Sequence, residues 1–140
     1  MNIEVSIDAE YVPTPGERFM CARQKEFFRD KLVAWKAAIL SESRGTLVQM
    51  QEETQNVADL ADRASAETDR ALELRTRDRQ RKLISKIDAA LRRIDEGTYG
   101  YCEETGEPIS LKRLSARPIA TLSLEAQEKH ERREKVHRDT

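Results

Sequence analysis

Between Glu17 and Asn56 the chain has no proline and one glycine, Gly45, and its apolar or small side chains recur at Phe28, Leu32, Trp35, Ile39, Ser43, Thr46 and Met50. The steps between these positions are 4, 3, 4, 4, 3 and 4. A spacing that averages about 3.6 residues keeps them on one stripe, which predicts an amphipathic helix of roughly 35–40 residues, about 50–60 Å long. From about residue 64 to 95 the same steps recur at Leu72, Thr76, Arg79, Leu83, Ile87, Ala90 and Ile94. Neither helix can bury its stripe alone. Folded back across the weaker helix-forming stretch 55–62, the two satisfy each other as an antiparallel coiled coil. Ser43, Thr46, Thr76 and Arg79 make the seam polar toward its tip, so that half is expected to be the less stable.

The flanks read differently. Ile3, Val5 and Ile7 alternate with polar residues, and Pro13, Pro15 and Gly16 forbid a regular helix, so residues 1–20 are expected to form an arm docked on a globular base. Gly97 is placed to end the second helix as a left-handed cap. Beyond it, short apolar pieces (Tyr99, Tyr101, Ile109, Leu111, Leu114, Ile119, Leu122) alternate with turn residues and suggest a small knob. Residues 124–140 close with interleaved charges; Glu125 with Lys129, Glu128 with Arg132 and Glu131 with Lys135 stand four apart, as in an exposed helix. The expected fold is mostly α: a coiled-coil hairpin over residues 21–97 with its tip at about 56–64, then a small base with a C-terminal helix over 98–140.

Composition narrows the function. The chain of 140 residues is 36% charged, 38% hydrophobic and only 5% aromatic, which is too lean for a thick spherical core or a large catalytic cleft. A net charge of −1 gives no bulk attraction to nucleic acid or membrane. Cys21 and Cys102 lie far apart without a disulfide framework, and no apolar run approaches the ~18 residues of a membrane span, so a soluble, cytoplasmic protein is expected. Charge is nonetheless segregated. Residues 51–62 hold Glu52, Glu53, Asp59 and Asp62 without a base, whereas Arg75, Arg77, Arg79, Arg81, Lys82, Lys86, Arg92 and Arg93 face only Asp78 and Asp88. A negative point on a positive stalk suits insertion into a larger body; a solvated coiled-coil face has the same pattern.

Residues 59–64 read Asp-Leu-Ala-Asp-Arg-Ala, residues 72–84 read Leu-Glu-Leu-Arg-Thr-Arg-Asp-Arg-Gln-Arg-Lys-Leu-Ile, and Gly100-Tyr-Cys and Leu114-Ser-Ala-Arg-Pro follow. From about Pro15 to Lys135 the chain resembles the DksA/TraR family of bacterial transcription factors. The resemblance implies a non-enzymatic regulator whose hairpin enters the secondary channel of RNA polymerase and changes promoter open-complex lifetime without touching DNA. It implies that Asp59, Asp62 and Ala64 form the D-x-x-D-x-A tip, and that Arg79 grips the channel rim. From the residues alone, Asp62 could equally cap the second helix and Arg79 could snorkel from the seam. The resemblance further implies that the alarmone ppGpp binds at the junction with polymerase through Lys86 and Arg117; Gln127 stands where a lysine is expected, with Lys129 two residues on. RNA polymerase and ppGpp are therefore the expected partners, with no membrane, no resident cofactor and a monomeric chain.

The family's usual knob is a zinc finger with the pattern C-x2-C-x17-C-x2-C, and those positions are here Cys102, Thr105, Ser123 and Ala126. Structural zinc takes thiolate or imidazole ligands, so a knob without metal is expected, held by apolar packing and by hydrogen bonds of Thr105 and Ser123. Cys102 then reads as a small buried hydrophobe or as a redox-active thiol. Three rival functions remain: a transcript-cleavage factor acting from the same channel, which needs a larger second domain; a plain coiled-coil scaffold, indifferent to the tip carboxylates; and a DNA-binding finger, which the absent metal and the balanced charge disfavour.

Overall fold

The computed structural model describes residues 11–56 and 60–138, apart from the side chains at 46–62 and 138. Four helices follow one another: α1 (Ala22–Asn56), α2 (Leu60–Glu96), α3 (Leu111–Ala116) and α4 (Leu124–Arg138). Among the described residues the sole β-type pairing is an isolated antiparallel bridge between Tyr101 and Pro108. The mostly helical fold expected from the spacing is the one found.

Helix α1 starts later than the spacing suggested, at Ala22 rather than near Glu17, and local chemistry explains the delay. Glu17 closes a turn instead: its N–H donates to the Thr14 carbonyl at 3.2 Å, and its carboxylate accepts from the Thr14 N–H and hydroxyl. Met20 then takes a left-handed φ of +52°, and its N–H donates to Oε1 of Gln24 at 2.8 Å. Gln24 is fully buried and its Nε2 donates to the Thr14 carbonyl, so one amide fastens the arm to the helix start. The Tyr11 hydroxyl donates to Glu17 and its ring lies under the Arg23 guanidinium at 4.0 Å. Residues 1–10 of the arm lie outside the described residues. At the other end Gly97, at φ +82°, caps α2 as expected, with the N–H groups of Thr98 and Tyr99 on the Arg93 carbonyl.

The chain forms two compact units: the described residues up to Leu32 together with those from Ala89 onward, and Val33–Asp88. The expected hairpin 21–97 thus contributes to both. In the first, or base, unit the core is apolar apart from the buried Gln24. Phe28 and Leu32 of α1, Ala90 and Ile94 of α2, and Tyr99, Cys102, Ile109, Leu114, Ile119 and Ala126 beyond are buried. Rings run as a ladder through it, Tyr11 to Phe27 at 6.0 Å, Phe27 to Phe28 at 5.2 Å and Phe28 to Tyr99 at 5.6 Å. The Tyr99 hydroxyl donates to the Pro118 carbonyl at 2.7 Å, and burial pushes this phenol above its ordinary range. Arg29 meets Asp95 at 2.5 Å across α1 and α2, and Lys31 donates to the Ser115 carbonyl at 2.6 Å. Gly100 sits at φ +90° with Met20 Cε and Phe19 Cζ each 3.1 Å from where a side chain would begin, so only glycine lets the arm approach so closely.

The second, or hairpin, unit corrects the seam. On α1 the expected Trp35, Ile39 and Ser43 are buried or half-buried. On α2 the expected Thr76, Leu83 and Ile87 are half-buried or buried, and so are Ala66, Arg70, Glu73, Arg77, Gln80 and Ile84, which with Ile87 step by 4, 3, 4, 3, 4 and 3. That is a heptad seam averaging about 3.5 residues. Leu72 is instead 53% exposed, and Arg79 is exposed rather than on the seam. The apolar Leu72 misdirected the pattern; long polar side chains line the seam with their methylenes instead. Lys36 meets Asp88 at 2.7 Å across the helices, while the buried Glu73 Oε2 and Gln80 Oε1 lack a hydrogen-bond partner among the described residues. In α4, none of the three expected i, i+4 ion pairs closes within the described residues; exposed pairs gain too little to hold two long side chains.

The two stripes make a direct contrast. Leu32→Ala should cost about 2–5 kcal/mol of unfolding free energy, as expected for a fully buried leucine, and Leu72→Ala less than ~1 kcal/mol. Urea unfolding followed by circular dichroism measures both; equal losses would restore the sequence-derived seam.

Candidate functional site

The tip carboxylates come first in the chain. Asp59 lies outside the described residues, as does the side chain of Asp62. The backbone is informative, because α2 begins at Leu60 and so places Asp62 inside its first turn, not at the capping position. The capping alternative for Asp62 is therefore overturned, because the backbone there is already helical. Ala64, two residues farther along, is exposed.

The basic flank is solvated. Arg75, Arg79, Arg81, Lys82 and Lys86 are all exposed on α2, and their one ion pair among the described residues is the marginal contact of Arg81 with Asp78 at 4.0 Å. Cations held without counterions are available to an external anionic surface. In the base unit Arg117 is exposed and follows α3, its N–H donating to the Arg113 carbonyl at 2.7 Å. Gln127, at the expected lysine position, turns its amide to Glu131 at 3.2 Å.

The four positions of the knob do come together. Residues 102–107 form a tight turn, with the Cys102 N–H on the Glu107 carbonyl and the Gly106 N–H on the Cys102 carbonyl, both at 2.8 Å. Cys102 is 2% exposed. Burial pushes its thiol up, but hydrogen bonds from the Ser123 N–H, from the hydroxyl and N–H of Thr105 and from the Glu104 N–H outweigh it and bring the thiol from 9.0 down to about 6. The Ser123 hydroxyl also accepts from the Ala126 N–H at 3.2 Å and so caps α4. Ala126 is buried and fills the fourth position with a methyl group. The Glu103 N–H donates to the Thr121 carbonyl at 2.9 Å, and His130 of α4 contacts Glu104 of the turn. That last link escaped the sequence reading. Glu104 and His130 are 26 positions apart, and only the turn geometry makes them neighbours.

Two family models match this chain: the N-terminal domain of DnaK suppressor protein DksA over residues 24–94, and the prokaryotic dksA/traR C4-type zinc finger over residues 97–132. The chain is 70% identical over 131 residues to the RNA polymerase-binding transcription factor DksA of Caulobacter vibrioides, covering 94% of this chain and 92% of that protein. It is 42% identical over 125 residues to the protein of the same description from Escherichia coli K12, covering 89% and 83%. Among solved structures, transcription factor DksA2 from Pseudomonas aeruginosa matches with a TM-score of 0.78 at 43% identity, over 84% of this chain and 90% of that one.

A C4-type finger implies zinc held by four thiolates, and the residues present do not fit it. The set offers one sulfur, already the acceptor of several hydrogen bonds, together with a hydroxyl that donates to that sulfur, a hydroxyl that caps a helix, and a methyl group. Among the described residues no group of three or more His, Cys, Asp or Glu side chains is placed to hold a metal ion.

A thiol lowered in the folded state stabilises that state once it ionises. The contribution is absent below the folded value of about 6, grows as pH rises through it, and is complete above the unfolded value of roughly 8.5. Urea midpoints taken across this window should climb more steeply in the parent than in Cys102→Ala; parallel curves would show that the sulfur stays protonated. Ser123→Ala, which removes the cap of α4, should cost about 0.5–2 kcal/mol in the same measurement.

Proposed function

The chain belongs to the DksA/TraR family, and on that footing we propose that it is a transcription regulator that binds RNA polymerase through the secondary channel and alters promoter open-complex stability. The observation that carries this reading is the 70% identity to a protein described as an RNA polymerase-binding transcription factor, extending over 94% of the chain. The regulator is not an enzyme. Asp59 and Asp62 supply two carboxylates that compete for basic or metal-bound groups inside the channel without covalent chemistry. Arg79, exposed and without an ion-pair partner among the described residues, grips the channel rim. No direct contact with DNA is required, in keeping with a net charge of −1. The chain works as a cytoplasmic monomer.

The alarmone ppGpp is read through Lys86 and Arg117, and Gln127 in place of a lysine leaves that site with one ammonium fewer. Losing a charge-assisted hydrogen bond to a pyrophosphate weakens the response without abolishing it. The regulator functions without zinc, because the groups that would have bound it are engaged in the turn and the helix cap.

Transcription in vitro from a ribosomal promoter with purified polymerase tests the proposal. The parent chain should shift transcript yield, and Asp62→Asn should still bind polymerase but lose most of that shift; equal activity of the two chains would reduce the protein to a scaffold. Activity and thermal unfolding should be the same with and without a zinc chelator, and loss of either on chelation would overturn zinc independence.

A further inference from the structure

Beside the start of α1 the base unit contains a cavity of about 430 Å³, walled by residues that include Arg18, Phe19, Cys21, Lys25, Gly97 and Tyr101. Two of its wall residues are cations and none is an acid. Among the described residues neither the Arg18 guanidinium nor the Lys25 ammonium makes a hydrogen bond or an ion pair. The acids nearest in sequence are engaged elsewhere or turned away. Glu17 accepts from the Tyr11 hydroxyl at 2.8 Å, from Thr14 and, at 3.8 Å, from the thiol of the wall residue Cys21, while Glu26 faces Arg29, Asp95 pairs with Arg29, and the exposed Glu96 is not part of the wall. Two like charges therefore line one concavity with no acid in its wall, and an anion bound there would relieve their repulsion.

Two further wall residues, Phe19 and Tyr101, are aromatic and held in place by their neighbours. Phe19 and Tyr101 meet edge to face at 5.4 Å, and Phe19 is packed onto Gly100. The left-handed turn at Met20 is held by the fully buried amide of Gln24. Tyr101 remains 38% exposed, so part of its ring is open to a ligand. The volume lies within the roughly 300–1,000 Å³ of small-molecule sites, and walls that need not rearrange lose little freedom on binding.

We propose that this cavity is a binding site for a small nucleotide-like anion, its phosphate held by Arg18 and Lys25 and its ring system resting against Phe19 and Tyr101. Arginine supplies a planar fork for phosphate oxygens and lysine a mobile point charge, which together suit a phosphate monoester or a pyrophosphate. The site shares no residue with the pair Lys86 and Arg117 and does not depend on the polymerase reading.

Isothermal titration of the full chain at physiological ionic strength, with adenosine diphosphate, inorganic pyrophosphate and adenosine as probes, tests it. Adenosine diphosphate and pyrophosphate should bind and adenosine should not. Arg18→Gln and Lys25→Gln should each weaken both phosphate-bearing probes by roughly tenfold or more, since each removes a charge-assisted hydrogen bond. Tyr101→Leu should weaken adenosine diphosphate about fivefold or more while leaving pyrophosphate unchanged, because stacking is lost but charge is not. Unchanged melting curves establish that the variants fold, and Lys86→Gln should bind like the parent. The proposal is overturned if no phosphate-bearing probe binds, if adenosine binds as tightly as its diphosphate, or if affinity falls with Lys86→Gln and survives Arg18→Gln.

Discussion

A single buried sulfur, Cys102, is the point on which the base unit closes. Its turn, the start of α4 and the segment before it all meet there, because the donors that reach it come from Glu104 and Thr105 on one side and from Ser123 on the other. A metal would concentrate this closure in a few short coordinate bonds. Here it is spread over hydrogen bonds of modest individual worth and over the burial of Tyr99, Ile109, Leu114 and Ile119. Spreading the closure changes how it fails. A coordinated knob opens when its ion is removed or its thiolates are oxidised together, whereas a packed knob weakens by degrees as single hydrogen bonds or side chains are removed.

The two units are stabilised differently, and the difference follows the residues. The base unit has a largely apolar core with four rings packed in series, while the hairpin unit places Arg70, Glu73, Arg77 and Gln80 along its seam, with two buried oxygens lacking partners among the described residues. Polar seam positions cost stability and in return restrict register, since a slipped pairing would bury charge against charge. Lys36 with Asp88 and Arg29 with Asp95 act in the same sense: the partners are seven residues apart on each helix, so each pair fits one antiparallel alignment.

Much of this was legible where one physical rule dominates. Phe28, Leu32, Ile39, Ile87, Ala90 and Ile94 were found by spacing because buried apolar side chains obey the helical period, and Gly97 was found because a helix ending needs a residue that tolerates positive φ. At Leu72 the seam of α2 was misread for the same reason. Leu72 satisfied the apolar rule yet stays in solvent, while arginine and glutamine methylenes take its place. Gln24, Met20 and the pair of Glu104 with His130 carried no signal, since each matters through a partner that only the folded backbone supplies. Of the candidate site, the knob positions could be read one by one from identity alone; that Thr105 and Ser123 converge on Cys102 could not.

Under the proposed function the charge pattern has to act by contact. With a net charge of −1 the far field of the chain is weak, and beyond a Debye length of about 8 Å at physiological salt the flank and the tip are screened from each other's targets. Long-range steering therefore contributes little. The exposed bases of α2 can be felt only by a surface already lying alongside them, and the carboxylates before and within its first turn only by groups within a few ångströms. Inside a narrow channel both conditions are met at once, and the lower dielectric of the walls strengthens the same charges that water would mute. On that reading contact with the partner comes first, and charge acts only where contact has already been made.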